Sequence, residues 1–284
     1  MNELYSCQQA IDQCAAAHTF AIAHLYKEEK TMDMHIHNCY ELYYSVSGGK
    51  QFLIDNKLYA IEPGDLFVIN QYESHKITQA DKTTHERIVL SIHPEYPKRL
   101  SSGETNLDAC FSQRSDFFCH RISLSKEQQN RFLYYINKII AADGYASDIY
   151  EQAAFMELLV LVNRLSQKGP LPATNDNSVC NHQVDNILSY INQNISSPLT
   201  LSGLAEEFFL SESYICRIFK SATGTTINKY ITARRISIAK SLLSDGVSVM
   251  TAYEKSGFTD YSAFFKAFTK AVGISPKKYS RYSS

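Results

Sequence analysis

The strongest constraint on this chain is a helical hairpin that occurs twice in its last third. Residues 199–224, LTLSGLAEEFFLSESYICRIFKSATG, read as two short helices joined by a tight turn. Thr200 is placed to N-cap the first helix, in which Leu201, Leu204, Ala205 and Phe208 recur at helical spacing. Ser211 is placed to N-cap a second helix that buries Ile215, Ile218 and Phe219. Ser213, Cys216, Arg217 and Lys220 fall on the opposite face, where side chains reach base edges or phosphates when such a helix enters a major groove. An αα-hairpin in a helical core accounts for one such segment equally well. The second copy separates the two readings. Residues 248–256, a turn at Gly257-Phe258, Asp260 as N-cap and a helix over 261–272 put Phe264, Ala267 and Phe268 at the offsets of Ile215, Ile218 and Phe219. Both hairpins close on a glycine, Gly224 and Gly273.

The helix expected over 228–243 joins the copies and is apolar on more than one face (Tyr230, Ile231, Ile236, Ile238, Ala239, Leu242, Leu243), the pattern of a helix buried between two bodies. Val184, Ile187, Leu188, Ile191 and Ile195 form an amphipathic helix ahead of the first hairpin. Charge follows the same division: residues 184–284 carry 12 Lys+Arg against 7 Asp+Glu, while the rest carry 16 against 22, within a total of −1. Basic charge on the half with the hairpins supports a nucleic-acid partner.

At 284 residues two domains are expected. The first residues lack a basic segment followed by an apolar run, and the longest aliphatic run, 158–162, is too short to span a bilayer. A cytoplasmic protein without membrane contact is therefore expected. Seven scattered cysteines without C-x-x-C argue against a disulfide framework or a cysteine zinc site.

The first third is β-like. Runs at 19–26, 41–47, 51–54, 58–61, 66–70 and 86–92 are rich in Tyr, Phe, Ile and Val and are punctuated by Gly48-Gly49, Asp55-Asn56 and Pro63-Gly64-Asp65, which suggests a small sandwich or barrel. His35 and His37 share one strand face and can both enter its interior. Residues 91–123 read as loop with one or two more strands. Two amphipathic helices follow: 126–142 (Phe132, Leu133, Ile136, Ile139, Ile140) and 150–166 (Phe155, Leu158, Leu159, Val162, Leu165). They either pack on the core or form a subunit interface. Residues 167–183, with two prolines and no periodicity, read as a linker.

His35, His37, Glu41 and Gly48 fit the first motif of the cupin family, H-x-H-x3-E-x6-G, so this region resembles a cupin. The second motif, G-x5-P-x-G-x2-H, is matched at Gly64 and His75, whereas Asn70 and Tyr72 stand where proline and glycine would be. The resemblance implies an effector site at His35, His37, Glu41, Tyr43 and His75, or a divalent transition metal (Fe, Mn, Ni or Zn) held by His35, His37, Glu41 and His75. A packed polar cluster is the competing reading of the same four residues. Cys39, between the candidate ligands, reads as a packed cysteine.

With LAEEFFLSESYICRIFKSATG, RRISIAKSLL and GFTDYSAFFKAFTKAVGISPKKY, residues 184–282 resemble the DNA-binding domain of the AraC/XylS family of transcription regulators. The cupin-like region resembles that family's sensor. The expected fold is α+β: a sensing and dimerising barrel with two flanking helices over 1–166, a linker over 167–183 and an all-α domain over 184–284, with helix-turn-helix motifs at 201–222 and 248–272. Ala252-Tyr253 and Phe265 depart from the family pattern, which has isoleucine-alanine and a polar residue at those places.

The resemblance implies two recognition helices in successive major grooves. A connecting helix of about 16 residues spans roughly 24 Å, a scale compatible with one DNA turn of about 34 Å. Arg217 and, at the matching position, Lys266 are the expected guanine readers; Ser213, Cys216, Ser262 and Thr269 are secondary, and Phe265 faces a thymine methyl. Lys220, Lys229, Arg234 and Lys270 contact phosphate or form a solvated face. The function implied is a regulator, without enzymatic activity, that activates transcription in response to a small molecule such as a carbohydrate. Its expected partners are double-stranded DNA, the effector, RNA polymerase if it is an activator, and a second copy in a homodimer. The readings from other classes are a metal-dependent cupin enzyme using His35, His37, Glu41 and His75, and hairpins that bind protein instead of DNA.

Overall fold

Strand parity decides how the first half is layered. The computed structural model describes residues 6–28, 34–49, 51–55, 57–79, 84–113, 118–167 and 182–283. In chain order they form α1 (Cys7–Ala17), β1 (Phe20–Glu28), β2 (Tyr40–Ser45), β3 (Gln51–Ile54), β4 (Lys57–Ala60), β5 (Asp65–Ile69), β6 (His75–Gln79) and β7 (Thr84–Ile92). Then come α2 (Glu95–Leu100), α3 (Ala109–Ser112), β8 (Arg121–Ser123), α4 (Lys126–Ile140) and α5 (Ser147–Ser166). A five-stranded sheet in the order β1-β7-β2-β5-β8 faces a three-stranded sheet in the order β4-β3-β6.

The antiparallel register sets Tyr43 opposite both Val89 and Phe67, so each face of the larger sheet collects residues of one parity. Phe20, Ile22, Leu42, Tyr44, Leu66, Val68 and Leu90 pack against Phe132 and Ile136 of α4 and Phe155 and Leu158 of α5. Ala21, Ala23, Tyr43, Phe67, Ile69 and Val89 pack against Phe52, Ile54 and Ile77 of the smaller sheet. Burial on both faces explains why β2 and β5 read as unbroken runs without alternation. Each buried Val, Leu, Ile or Phe among them contributes about 1.5–3 kcal/mol. Among its described residues, the stretch expected to be loop with further strands contains α2, α3 and the short β8; Phe111 of α3 stacks on Tyr40 with ring centroids 4.3 Å apart.

The helical half comprises α6 (His182–Gln193), α7 (Leu201–Glu207), α8 (Glu212–Thr223), α9 (Ile227–Ser244), α10 (Val249–Lys255), α11 (Tyr261–Val272) and α12 (Pro276–Ser283). The expected linker over 167–183 lies, apart from its ends, outside the described residues. Thr200, Ser211 and Asp260 cap their helices as their positions predict, Ser248 caps α10 as well, and Gly224 and Gly273 close α8 and α11 in the left-handed conformation.

One end of α9 (Tyr230, Ile231) joins a core with Val184, Leu188, Leu204, Ile215 and Phe219. Its other end (Ile236, Ala239, Leu243) joins Ala252, Phe264, Phe268 and Tyr279. Helix α12, not expected from the sequence, supplies Tyr279. The unusual Tyr253 is taken into an aromatic group, 5.5 Å from Tyr261 and 5.8 Å from Phe264 between centroids. The two halves of the chain touch: Leu53 of β3 is buried in the core of the first hairpin, with Met34 and Leu58 against it.

Candidate nucleic-acid interface and histidine cluster

Ser213, Cys216, Arg217 and Lys220 are exposed on α8, opposite the buried Ile215 and Phe219. The Arg217 guanidinium lies 5.2 Å from the Tyr214 ring centroid, a cation–π contact that limits how far this long side chain wanders. On α11, Ser262 and Lys266 are exposed and Phe265 is 41% exposed.

Thr269 departs from expectation. Its hydroxyl is buried and has no hydrogen-bond partner among the described residues, so it is turned toward the helical packing, unlike the exposed Ser262 and Lys266. Arg234 departs too. It is neither a phosphate contact nor part of a solvated face, because its guanidinium is paired with Asp55 of the sensor half. Lys229 and Lys270 are exposed. Sequence reasoning missed Phe209, which is 95% exposed in the turn between α7 and α8 with φ 53°. The adjacent Phe208 and Phe209 were the available signal, since only one of two neighbours can join a helical stripe.

In the sensor half, His35, His37, Glu41 and His75 come together as the spacing predicts. Their imidazole rings lie 4.1 Å (His35–His75) and 4.8 Å (His37–His75) apart between centroids. Glu41 Oε2 is 3.1 Å from His37 Nε2 and 3.9 Å from His75 Nε2. His37, His75 and Glu41 are buried. His37 Nδ1 is 3.0 Å from the Cys39 carbonyl and His75 Nδ1 is 2.9 Å from the Glu73 carbonyl. A carbonyl only accepts, so this network assigns the proton to Nδ1 and turns both Nε2 atoms toward the cluster.

Burial opposes charge on Glu41, but the His37 hydrogen bond and the imidazoles of His75, His37 and His35 outweigh it and hold the carboxyl at about 2. Burial likewise opposes charge on His37, and its contacts with Cys39 and Glu41 raise it to about 10. Burial drives His75 well below the ordinary histidine value, and His35 adds to that. Tyr43 packs in the interior on Phe52 and Phe67, and the Phe52 ring approaches that of His75 at 6.1 Å. Cys39 is buried, as a packed cysteine is, with its sulfur 3.2 Å from His37 Nδ1.

Residues 18–159 match the family model of the AraC-like ligand binding domain, and residues 204–282 match a helix-turn-helix domain. The melibiose operon regulatory protein of Escherichia coli (strain K12) is 35% identical over 128 residues, which span 44% of this chain and 40% of that protein. The HTH-type transcriptional activator RhaR of Shigella dysenteriae serotype 1 (strain Sd197) is 23% identical over 272 residues, spanning 93% of this chain and 92% of the relative. A solved structure of ToxT from Vibrio cholerae aligns over 93% of this chain and 98% of its own, with 15% identity and a TM-score of 0.39. None of the described helices is long and apolar enough to cross a membrane. A ligand-binding half and a duplicated helix-turn-helix in this order, each matched by its own family model, establish that the chain belongs to the AraC/XylS family of transcription regulators.

Proposed function

We propose that this regulator binds double-stranded DNA through α8 and α11 in successive major grooves, and that a small molecule bound in the N-terminal half alters how the two helices are presented. The observation that carries the reading is the pair of separately capped recognition helices, each with an exposed polar face, mounted on the two ends of one buried helix. At 18 residues α9 is roughly 27 Å long, the scale needed to hold two helices about one DNA turn apart.

Arg217 is the principal base reader. Ser213, Cys216 and Lys266 assist, Ser262 and Lys220 lie beside them, and Phe265 covers a thymine methyl. The relatives named for a melibiose operon and as an activator point to a carbohydrate effector and to activation through RNA polymerase. Action on DNA supports a cytoplasmic location. A homodimer would use α4 and α5, where a cleft of about 650 Å³ opens beside Arg131, Tyr135, Met156 and Arg164.

Anisotropy measurements on DNA upstream of the neighbouring genes test the reading. Affinity should fall steeply with salt, and Arg217→Ala should lose about tenfold or more in specific affinity while non-specific binding changes less. A flat salt response with unchanged specificity in the variant would overturn it.

A further inference from the structure

We propose that the operator is chemically asymmetric: α8 selects its half by hydrogen bonds to guanine, and α11 selects the other half by pyrimidine C5-methyl groups seated against the rings of Tyr261 and Phe265. The inference rests on the regulator reading above and specifies what one of its two recognition helices recognises.

Aligning the buried Ile215 and Phe219 of α8 with the buried Phe264 and Phe268 of α11 pairs the exposed positions of the two helices. Ser213 and Arg217 then correspond to Ser262 and Lys266, a polar row common to both. Glu212 and Cys216 correspond to Tyr261 and Phe265. Residues four apart share a helix face, so α11 carries an aromatic row where α8 has an acid and a thiol. Tyr261 and Phe265 are each 41% exposed, with ring centroids 6.5 Å apart and planes inclined at 38°. Thr269 stands where α8 has the exposed Lys220, and with its hydroxyl turned inward the polar row of α11 ends a turn earlier than that of α8.

The aromatic row is held from behind. Tyr261 packs on Tyr253 of α10, with centroids 5.5 Å apart and planes at 81°, and on Phe264 at 5.9 Å. The two departures from the family pattern, Tyr253 and Phe265, therefore flank Tyr261 in one aromatic series that runs from the packed side of the hairpin to its exposed face. Rings seated in this way lose little freedom on binding. Exposed apolar surface of this kind calls for an apolar partner. Lys266, the counterpart of Arg217, is the next residue after Phe265, so the row belongs to the surface that faces the groove. The apolar group that a major groove supplies is the C5-methyl of thymine. A 5-methylcytosine carries the same group at the same place. Covering a methyl displaces water without neutralising a phosphate, so it adds specificity that salt does not screen.

The operator for the test is a duplex selected in vitro from random sequence with the full-length protein. Each of its thymines is replaced in turn by deoxyuridine, which lacks only the methyl. Thymines about one helical turn from the guanine whose selection is lost in Arg217→Ala should each cost about threefold or more in affinity when replaced. With a C·G pair in place of such a T·A pair, 5-methylcytosine should bind about threefold more tightly than cytosine. Phe265→Ala or, should that variant fold poorly, Phe265→Gln should abolish both methyl effects and leave the slope of affinity against salt unchanged. Tyr253→Ala should weaken the methyl effects and Tyr253→Phe should keep them, with guanine selection under α8 the same in both, as expected of a positioning residue. Methyl effects that are absent, or that persist undiminished in the Phe265 variants, overturn this inference while salt-sensitive specific binding keeps the regulator reading intact. A selection that enriches no sequence sinks the regulator reading and this inference with it.

Discussion

Tyr72 shows how one residue can carry two incompatible demands. Its backbone is left-handed, which favours glycine, yet its hydroxyl lies 2.6 Å from that of Ser244 and accepts from that of Tyr279 at 3.2 Å, and its ring lies under the Lys240 ammonium. A left-handed tyrosine costs about 1–3 kcal/mol, so contacts with the helical half must offset it. Tyr72→Gly should leave the sensor sheets intact by near-UV and far-UV circular dichroism while α9 exchanges its amides faster; unchanged exchange would show that the side chain does not hold the helix. Thr269 presents the opposite case, a polar atom with no evident use. Its buried hydroxyl lacks a partner, so Thr269→Val should raise stability by about 1 kcal/mol in denaturant unfolding and leave DNA affinity unchanged. A loss of DNA affinity in that variant would restore the role first assigned to it. The histidine cluster was legible from its motif spacing, although His35 and His37 lie ahead of β2 and only an isolated bridge from His35 to His75 joins them to the sheets, so the strand face expected for the pair is not what places them. The departure at Tyr72 was visible too, but its meaning was not, since it depends on a φ angle and on partners more than a hundred and seventy residues away.

Elements with a strong period were the most legible. The N-caps at Thr200, Ser211 and Asp260, both glycine stops and the stripes of α4, α5, α8 and α11 follow from local chemistry that each segment carries within itself. The register of β2 between β7 and β5 required knowing which strands pair, and α12 is a short polar segment that is helical where Tyr279 finds Phe268, 5.6 Å away between ring centroids. For α9, the apolar residues on several faces correctly indicated burial between bodies. One of those bodies is the sensor, so Arg234 went unrecognised as an internal ion-pair partner. Element packing also explains Gly257, in the turn between α10 and α11. It has φ 85°, and a Cβ there would meet the Ile195 carbonyl oxygen at 2.3 Å and the Ser196 Cα at 2.8 Å. Neither backbone atom can rotate aside. Gly257→Ala should therefore cost about 2 kcal/mol or more in thermal or denaturant unfolding, and a neutral result would mean that the turn is not held against the chain after α6.

On the scale of the whole molecule, the contact between halves contains a cation that resists being there. Lys240 is 8% exposed, and burial lowers its ammonium from 10.5 to about 8, with Cys39 acting weakly in the other direction. The groups facing it are the Ile36 carbonyl and the Tyr72 ring from the sensor, at 3.4 and 5.4 Å, the Tyr279 ring of α12, at 6.0 Å, and the more distant Cys39 thiol. Below pH 8 the lysine is protonated whether the halves are docked or apart, so its contribution does not vary with pH. Between pH 8 and 10.5 it is neutral when docked and still protonated when released into water. Docking then expels a proton, and the native contact gains strength as pH rises. The full shift corresponds to at most about 3 kcal/mol. Comparing wild type with Lys240→Met cancels the other groups that titrate in this range. The wild type should gain stability relative to the variant from pH 7 to 10 in calorimetric unfolding, and the variant should be the more stable of the two at pH 7, where the desolvation cost of the ammonium is undiminished. A difference between the two proteins that stays constant across that range would mean that the ammonium remains hydrated, and that α9 is held to the sensor by the Asp55 and Tyr72 contacts without any opposition from Lys240.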